Sequence, residues 1–186
     1  LFYRLRTVLF TKLGGMRILI VGAGIVGYNL AQELSHEGHD IAIVDQDPER
    51  IRRITDTLDV MAVEGNACLP SVLIKAGIKS SEMLIAVTEK DEINLLSCFL
   101  ASRFKVPKRF ARLRNTEFTA KDSIFSPEEI FIDQAINFQT RISAISRGGK
   151  KGSLTEYVPL LHICTCLYQR FGNVPIFVQD CQQQRR

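Results

Sequence analysis

The sequence has no tryptophan, only three histidines, and no apolar run near the roughly 20 residues that a membrane-spanning helix requires. Its five cysteines are scattered, without the density of a small disulfide-stabilised secreted domain, and this favours a reducing compartment. The net charge is +4, and Arg4, Arg6 and Lys12 supply three of these charges in the first 15 residues, which contain no acid. Such a mild, localised excess of base does not indicate binding to nucleic acid.

The composition is typical of a globular protein that can bury a core, with 46% hydrophobic and 24% charged residues. A length of 186 residues fits one domain with a short appendage. Residues 1–15 are interpreted as a basic N-terminal extension. Two readings of this extension remain open: an addition that precedes the natural domain start at Met16, or a basic, partly apolar arm that lies on a membrane or a partner.

Short apolar runs alternate with helical patterns over most of the chain, which predicts an α/β fold with a doubly wound parallel sheet. The predicted strands are 17–22, 40–45, 60–65, 83–88 and 109–114, with 130–133 as a candidate sixth. The predicted helices are about 25–37, from Pro48 through Leu58, 70–76 and 91–104, with a further one at 138–149.

The period of the apolar residues also predicts which side of each helix faces the sheet. In the first helix the inward residues are expected to be Ile25, Leu30 and Leu34. In the fourth helix one face is expected to contain Ile93, Leu96, Leu100 and Phe104.

Three glycines, Gly22, Gly24 and Gly27, stand between the first strand and the first helix with the spacing of a dinucleotide-binding loop. The first permits a tight turn, the second lets a pyrophosphate approach the backbone, and the third lets the helix pack on the strand. The N–H groups and the dipole at the start of the helix would then bind anionic phosphates.

Asp45 closes the second strand, 21 residues after Gly24, where a carboxylate can accept hydrogen bonds from ribose hydroxyls. No arginine directly follows this strand, since Gln46 and Asp47 do, and NAD(H) is therefore favoured over NADP(H). The ribose of ADP or ATP would satisfy Asp45 equally well. The alternative is that Asp45 only caps the next helix.

Polar residues also follow the third, fourth and fifth strands, as "EGNA" (64–67), "TEKDE" (88–92) and the pair Arg112 and Arg114. The carboxyl ends of parallel strands border one crevice, where ligands of such sheets bind. Thr88 and Asp91 would serve equally as an ordinary helix N-cap and first-turn acid. Arg112 suits either a phosphate or a salt bridge across an interface.

Two other classes of site are considered and not favoured. A dehydrogenase needs a proton donor near the nicotinamide, whereas His36 and His39 fall in the turn before the second strand and are expected to be solvated. A zinc site in "HICTC" (162–166) is disfavoured because cysteines one residue apart in a strand point to opposite faces. No catalytic and no metal-ligating residues are therefore predicted.

Five stretches, in order and spacing, resemble the N-terminal RCK (regulator of potassium conductance) domain of TrkA-type potassium-uptake proteins. They are "MRILIVGAGIVGYNLAQEL", "IVDQDPERI", "VEGNACLPSVLIKAGI", "MLIAVTEKDEINLLSC" and "RFARLRNTEF". The resemblance covers about residues 16–137 and implies a Rossmann-like fold that binds NAD or NADH, or ATP or ADP at the same site, without turnover. Residues 138–186 differ from the family, and we interpret them as a crossover helix followed by a poorly defined, divergent or truncated tail.

The resemblance also implies the role of each residue at the site. The phosphate loop would comprise Gly22, Ala23, Gly24, Ile25, Val26 and Gly27, and the ribose acid would be Asp45. Asn66, where the family often has aspartate, and Ala67 would line the adenine side. Thr88 and Glu89 would lie beyond the phosphates, with Arg112 as a charged contact near the ligand.

The expected function is that of a peripheral, cytoplasmic NAD(H)-binding regulatory subunit of a bacterial Trk potassium-uptake system. It would form a homo-oligomer and gate a membrane potassium-translocating subunit on the inner face of the cell membrane, in response to nucleotide. The alternatives are a small NAD-dependent oxidoreductase and a redox-sensing nucleotide-binding domain.

Overall fold

The computed structural model describes residues 15–118, 129 and 131–136, which form a six-stranded sheet with flanking helices. The strands are β1 (Arg17–Val21), β2 (Asp40–Asp45), β3 (Met61–Glu64), β4 (Met83–Ala86), β5 (Lys108–Arg112) and β6 (Gln134–Ile136). The helices are α1 (Ile25–His36), α2 (Pro48–Thr57), α3 (Pro70–Lys75) and α4 (Asp91–Arg103), with short 3₁₀ turns at Ile78–Ser80 and Thr116–Phe118.

The strand order is β3-β2-β1-β4-β5-β6, and the first five strands pair in parallel. The chain therefore runs outward from β1 to β3, crosses back to β4 and continues outward on the other side. This is the predicted Rossmann-like, doubly wound arrangement, and it is confirmed. Its point of reversal lies between β1 and β4, where the two halves of the sheet leave a crevice at the carboxyl ends of the strands.

The central strands are apolar because helices cover both of their faces. Ile20 of β1 and Ile85 of β4 are register partners, and neither side chain is exposed to solvent. β3 borders only β2 among the described strands and is less buried, with Val63 as its one fully buried residue. The positions predicted for the first five strands are confirmed to within about two residues at each end.

Helix α4 packs on the sheet through a face that its apolar period did not predict. Its buried residues are Asp91, Asn94, Ser97, Cys98 and Ala101. Leu96, expected to face inward, is instead exposed, while Ile93 and Leu100 are only partly buried at the edges of the contact. Small and polar side chains let the helix backbone approach the sheet, and the larger apolar side chains flank that contact.

Two further expectations, one about Ile25 and one about the sixth strand, are wrong. Ile25, predicted to face inward, is 64% exposed at the first position of α1, beside the glycine loop. The sixth strand begins at Gln134 rather than covering 130–133. Instead, the carboxylate of Asp133 accepts from the backbone N–H of Arg109 at 2.7 Å, and the Arg109 guanidinium donates to the carbonyl of Phe131 at 2.8 Å. These bonds hold 131–133 as a turn.

Several predictions fall outside the described residues: the extension up to residue 14, the helix at 138–149, and the tail with "HICTC". The chain divides into two units, Leu1–Ala135 and Ile136–Arg186, and the second is described only at its first residue. The predicted domain boundaries stay predictions. No helix in the described ranges is long and apolar enough to cross a membrane.

His39 lies at the amino end of the sheet and is largely buried, contrary to the expectation of a solvated loop. Its Nδ1 accepts a hydrogen bond from the backbone N–H of Met16 at 3.1 Å, so that nitrogen carries no proton. Burial lowers the pKa of His39, although the nearby charge of Glu82 acts in the opposite direction. The imidazole is therefore neutral near pH 7.

The carboxylate of Glu37 lies 3.8 Å from Nε2 of His39, too far for a hydrogen bond. Burial, with a smaller effect from the charge of Glu33, raises the pKa of Glu37 to about 7. Since His39 is neutral, this contact is not an ion pair at neutral pH. Ionisation of Glu37 above its pKa places an uncompensated, partly desolvated charge at this end of the sheet.

Replacement of Glu37 by Gln is expected to raise the free energy of unfolding at pH 8 and to change it little at pH 5. The pKa of Glu37 is about 7 in the folded state and near 4.5 when unfolded, so the folded state binds more protons between these values. The contribution of Glu37 to stability is therefore lost as the pH rises through this window. Urea unfolding followed by circular dichroism at both pH values measures the effect.

The exposed Glu92 provides the control, because Glu92→Gln removes the same charge from a solvated position. An equal change in unfolding free energy at pH 5 and pH 8 for Glu37→Gln would contradict the prediction.

Candidate functional site

The glycine loop between β1 and α1 is shaped by two close backbone approaches. Gly22 has a φ of +104°, which favours glycine, and its N–H donates to the carbonyl of Val44 at 2.8 Å. A Cβ on Gly27 would overlap the carbonyl oxygen of Gly22. The first and third glycines are therefore needed for the loop to fold, as their spacing predicts.

Gly24, the second glycine, has an ordinary φ of −67° and is the N-cap of α1, with no side chain capping the helix. A Cβ there would meet only the Nη1 of Arg50, at 3.7 Å. The fold does not need glycine at this position, and the open space beside it is where a bound group can approach the backbone. The first N–H groups of α1, from Ile25 and Val26 onward, lack acceptors within the helix and can bind an anion.

Asp45 joins the two loops that border this space. Its Oδ2 accepts from the backbone N–H of Ala23 at 2.6 Å, and its Oδ1 accepts from the backbone N–H of Asp47 at 2.9 Å. The side chain is only 8% exposed. Each carboxylate oxygen accepts one hydrogen bond from the protein and has capacity to accept another, as a contact with a ribose hydroxyl would require.

Capping of α2 is performed by Asp47 and not by Asp45. The Oδ1 of Asp47 accepts from the N–H groups of Glu49 and Arg50, and Pro48 occupies the first helical position. The alternative interpretation of Asp45 as a helix cap is therefore wrong.

Arg50 lies beside Asp45 and Gly24, and the sequence analysis missed it. Its Nη1 lies 3.8 Å from Asp45 Oδ2, and its Nε lies 3.2 Å from Asp47 Oδ2. No arginine directly follows β2, but the first turn of α2 brings the side chain of Arg50 next to Asp45. One sequence pattern could have identified Arg50: it stands three positions after Asp47, the helix N-cap, which closely follows Asp45.

The loop after β3 lies next to Asp45, because the N–H of Gly65 donates to the Asp45 carbonyl at 2.9 Å. Asn66 is exposed, and its side-chain oxygen accepts from the N–H of Cys68 at 2.9 Å, which fixes a local turn. Ala67 is buried in the core. Asn66 is thus available at the crevice, whereas Ala67 offers chiefly its backbone; their assignment to the adenine side stays a prediction.

The loop after β4 is held by Asn94, a second residue that the sequence analysis missed. The fully buried Asn94 amide accepts from the N–H and hydroxyl of Thr88 at 2.9 and 2.7 Å. It donates to the carbonyls of Thr88 and Arg112 at 3.2 and 2.8 Å. One side chain thereby joins the ends of β4 and β5. The sequence indication was an amide between the apolar residues Ile93 and Leu95, three residues after Asp91.

Asp91 secures the chain after β5, since its Oδ2 accepts from the N–H groups of Arg114 and Asn115, both at 2.8 Å. Arg112 is half-buried, and its pKa is lowered by burial and by the charge of Arg114, with Asp91 and Glu89 acting in the opposite direction. Glu89 itself is exposed. Thr88, Glu89 and Arg112 thus converge at the ends of β4 and β5, and their contact with a ligand stays a prediction.

The assembled crevice offers backbone N–H groups for phosphate and a carboxylate for ribose. Neither of the two cysteines in the described part of the chain is an activated thiol, because burial raises the pKa of Cys98 to about 12 and also raises the pKa of Cys68. Among the described residues no group of three or more histidine, cysteine, aspartate or glutamate side chains could hold a metal ion. Binding of a nucleotide is the chemistry that these groups support.

A family model described as the TrkA-N domain matches residues 18–137, from the second residue of β1 to just beyond β6. The chain belongs to the TrkA-N domain family. This confirms the resemblance to the N-terminal RCK domain of TrkA-type proteins.

Similar proteins include two named as Trk system potassium uptake protein TrkA. The one from Halomonas elongata is 41% identical over 123 residues, which cover 66% of this chain and 27% of that protein. The one from Vibrio alginolyticus is 37% identical over 155 residues, which cover 75% of this chain and 34% of that protein. This TrkA-N chain thus spans about a third or less of the length of these relatives.

Solved structures share the fold at lower identity. The TrkA-N domain of the inner membrane protein ybaL from Escherichia coli has a TM-score of 0.59 at 19% identity, over 70% of this chain and 93% of that one. The GsuK channel bound to NAD has a TM-score of 0.57 at 17% identity, over 69% of this chain and 22% of that one. At these identities the likeness establishes the fold of the TrkA-N domain.

Replacement by alanine is expected to change the free energy of unfolding much more at Gly27 than at Gly24. Gly27→Ala should lower the free energy of unfolding by roughly 3 kcal/mol, because the new methyl group overlaps a backbone carbonyl that cannot move freely. Gly24→Ala should stay within about 1 kcal/mol of the wild type, since only the end of a flexible arginine is near. Urea unfolding of both variants tests this geometry, and equal losses would contradict it.

Proposed function

We propose that this TrkA-N chain is the nucleotide-binding part of a regulatory subunit of a bacterial Trk-type potassium-uptake system. It binds NAD⁺ or NADH, or ATP or ADP in the same crevice, and does not turn the nucleotide over. The observation that carries this proposal is the Asp45 carboxylate, held by the N–H of Ala23 beside the open backbone of Gly24. The names of the TrkA relatives support the potassium-uptake system.

The choice of nucleotide follows from the same carboxylate. Ribose hydroxyls can donate to Asp45, whereas a 2′-phosphate would be repelled by it. NAD(H) is therefore favoured over NADP(H). Solved neighbours with bound NAD and bound ADP support a crevice of this shape accepting either kind of adenosine nucleotide.

The oxidoreductase alternative receives no support from the described residues. The two histidines there, His36 and His39, lie at the amino end of the sheet, away from the carboxyl ends that form the crevice. Neither described cysteine is an activated thiol, which also weighs against a redox sensor built on Cys68 or Cys98.

In the proposed mechanism the domain acts through other proteins, as a homo-oligomer on the cytoplasmic face of a potassium-translocating membrane subunit. A nucleotide can change transport only if its affinity differs between two states of the assembly. The same coupling then requires that the membrane subunit change the affinity for the nucleotide. The ends of β4 and β5, joined through Asn94, are the part of the crevice best placed to move as one body.

Asp45→Ala is expected to weaken NADH binding at least about tenfold, because hydrogen bonds to a charged acceptor contribute roughly 1.5–3 kcal/mol. Asp40→Ala is the matched control, since it removes the same side chain from the opposite end of β2, where Asp40 pairs with Arg17 on the surface. Titration calorimetry on both variants, with circular dichroism to verify folding, measures the effect. Unchanged NADH affinity in a folded Asp45→Ala protein would remove this residue from the site.

Potassium flux is expected to depend on nucleotide only when this protein is present. The measurement uses vesicles that contain a Trk-type membrane subunit, with wild-type protein, Asp45→Ala or no added protein, over a range of NADH and ATP concentrations. The wild type should confer a nucleotide response that Asp45→Ala loses. Flux that is the same with and without the protein in every nucleotide condition would refute the partnership.

A further inference from the structure

The guanidinium of Arg50 occupies the corner between the ribose acid and the phosphate loop. Its Nη1 lies 3.8 Å from the Oδ2 of Asp45 and 3.7 Å from the position that a Cβ would take on Gly24. It arrives there because Asp47 and Pro48 start α2 immediately after β2, which turns the third helical residue back towards β1. One side chain is thus within 4 Å of both loops of the crevice.

The donors of this guanidinium are available to a ligand. Among the described residues Arg50 makes ion-pair contacts with Asp45 and Asp47, at 3.8 and 3.2 Å, but no side-chain hydrogen bond. The side chain is 43% exposed. A guanidinium has five N–H donors in a planar fork. Here two carboxylates orient the group by charge but do not accept hydrogen bonds from it.

The negative charges of Asp45 and Asp47 would disfavour a phosphate group beside them unless a cation offset those charges. A carboxylate that accepts from ribose hydroxyls lies close to the 5′-phosphate of the same nucleotide, and the two negative groups repel each other. Asp47 adds a second negative charge near the same point. Arg50 lies between these acids and Gly24, where it offsets their field and presents donors to an anion.

We infer that Arg50 binds the 5′-phosphate of an adenosine nucleotide, so that the crevice selects phosphorylated adenosines over adenosine itself. This inference rests on the proposed nucleotide binding and adds a contact to it. The phosphate then has two sources of hydrogen bonds, the N–H groups at the start of α1 and the guanidinium from α2. The ribose keeps Asp45.

The experiment compares AMP, adenosine and NADH on wild type, Arg50→Gln and Arg50→Lys. Binding of NADH is followed by its fluorescence, which no tryptophan obscures in this chain, and AMP and adenosine are measured by competition. Arg52→Gln is the matched control, because Arg52 is an exposed cation on the same helix that makes no ion pair or side-chain hydrogen bond with the described residues. Arg53 is unsuitable, since its guanidinium lies over the Tyr28 ring at 4.5 Å.

Arg50→Gln should weaken AMP and NADH about tenfold while changing adenosine by less than about twofold. The affinity of Arg50→Lys for AMP and NADH should lie between the affinities of Arg50→Gln and the wild type, since lysine keeps the positive charge but lacks the planar set of donors. Arg52→Gln should match the wild type. Higher salt should reduce AMP affinity more steeply in the wild type than in Arg50→Gln.

Each other result has a defined meaning. If the wild type binds none of the three ligands, the proposed function fails together with this inference. If the wild type binds but Arg50→Gln leaves AMP affinity unchanged, only the inference fails. If Arg50→Gln weakens adenosine as much as AMP and lysine does not restore binding, the guanidinium acts on the nucleoside part, and the assignment to phosphate is wrong.

Discussion

The rest of the crevice depends on the buried carboxylate of Asp45. Its two oxygens hold the loop after β1 and the loop after β2, through the N–H groups of Ala23 and Asp47. Its backbone carbonyl holds the loop after β3 through the N–H of Gly65. One residue therefore fixes three loops, from three adjacent strands, without a ligand. Binding of a nucleotide to such a preformed site costs little conformational entropy.

Much of this could be predicted from the sequence because the constraints are local. Strands buried on both faces must be apolar throughout, and a turn at positive φ favours glycine, as at Gly22. The position of Asp45 follows from the fixed length of one strand-helix-strand unit. These features predict the doubly wound parallel sheet, the glycine loop and the position of Asp45 without knowledge of any contact between distant elements.

The features that could not be predicted all depend on distant contacts. The apolar period predicts that Leu96 faces inward, whereas Asn94 is buried there instead. The reason is that α4 approaches β4 and β5 closely, so that small or hydrogen-bonded side chains fit the contact. Arg50 reaches Gly24 only because α2 begins at Pro48, immediately after β2. The turn at 131–133 depends on Asp133 meeting Arg109, 24 residues earlier in the chain.

The strand order has a consequence for synthesis of the chain. β1 lies at the centre of the sheet and needs β4, more than 60 residues later, to cover its second edge. During translation the half formed by β1, β2 and β3 can assemble first, with one edge of β1 open until β4 leaves the ribosome. An open apolar edge can pair with other chains. Until β4 is synthesised, one edge of β1 can therefore pair with another chain, and the crevice between β1 and β4 is incomplete.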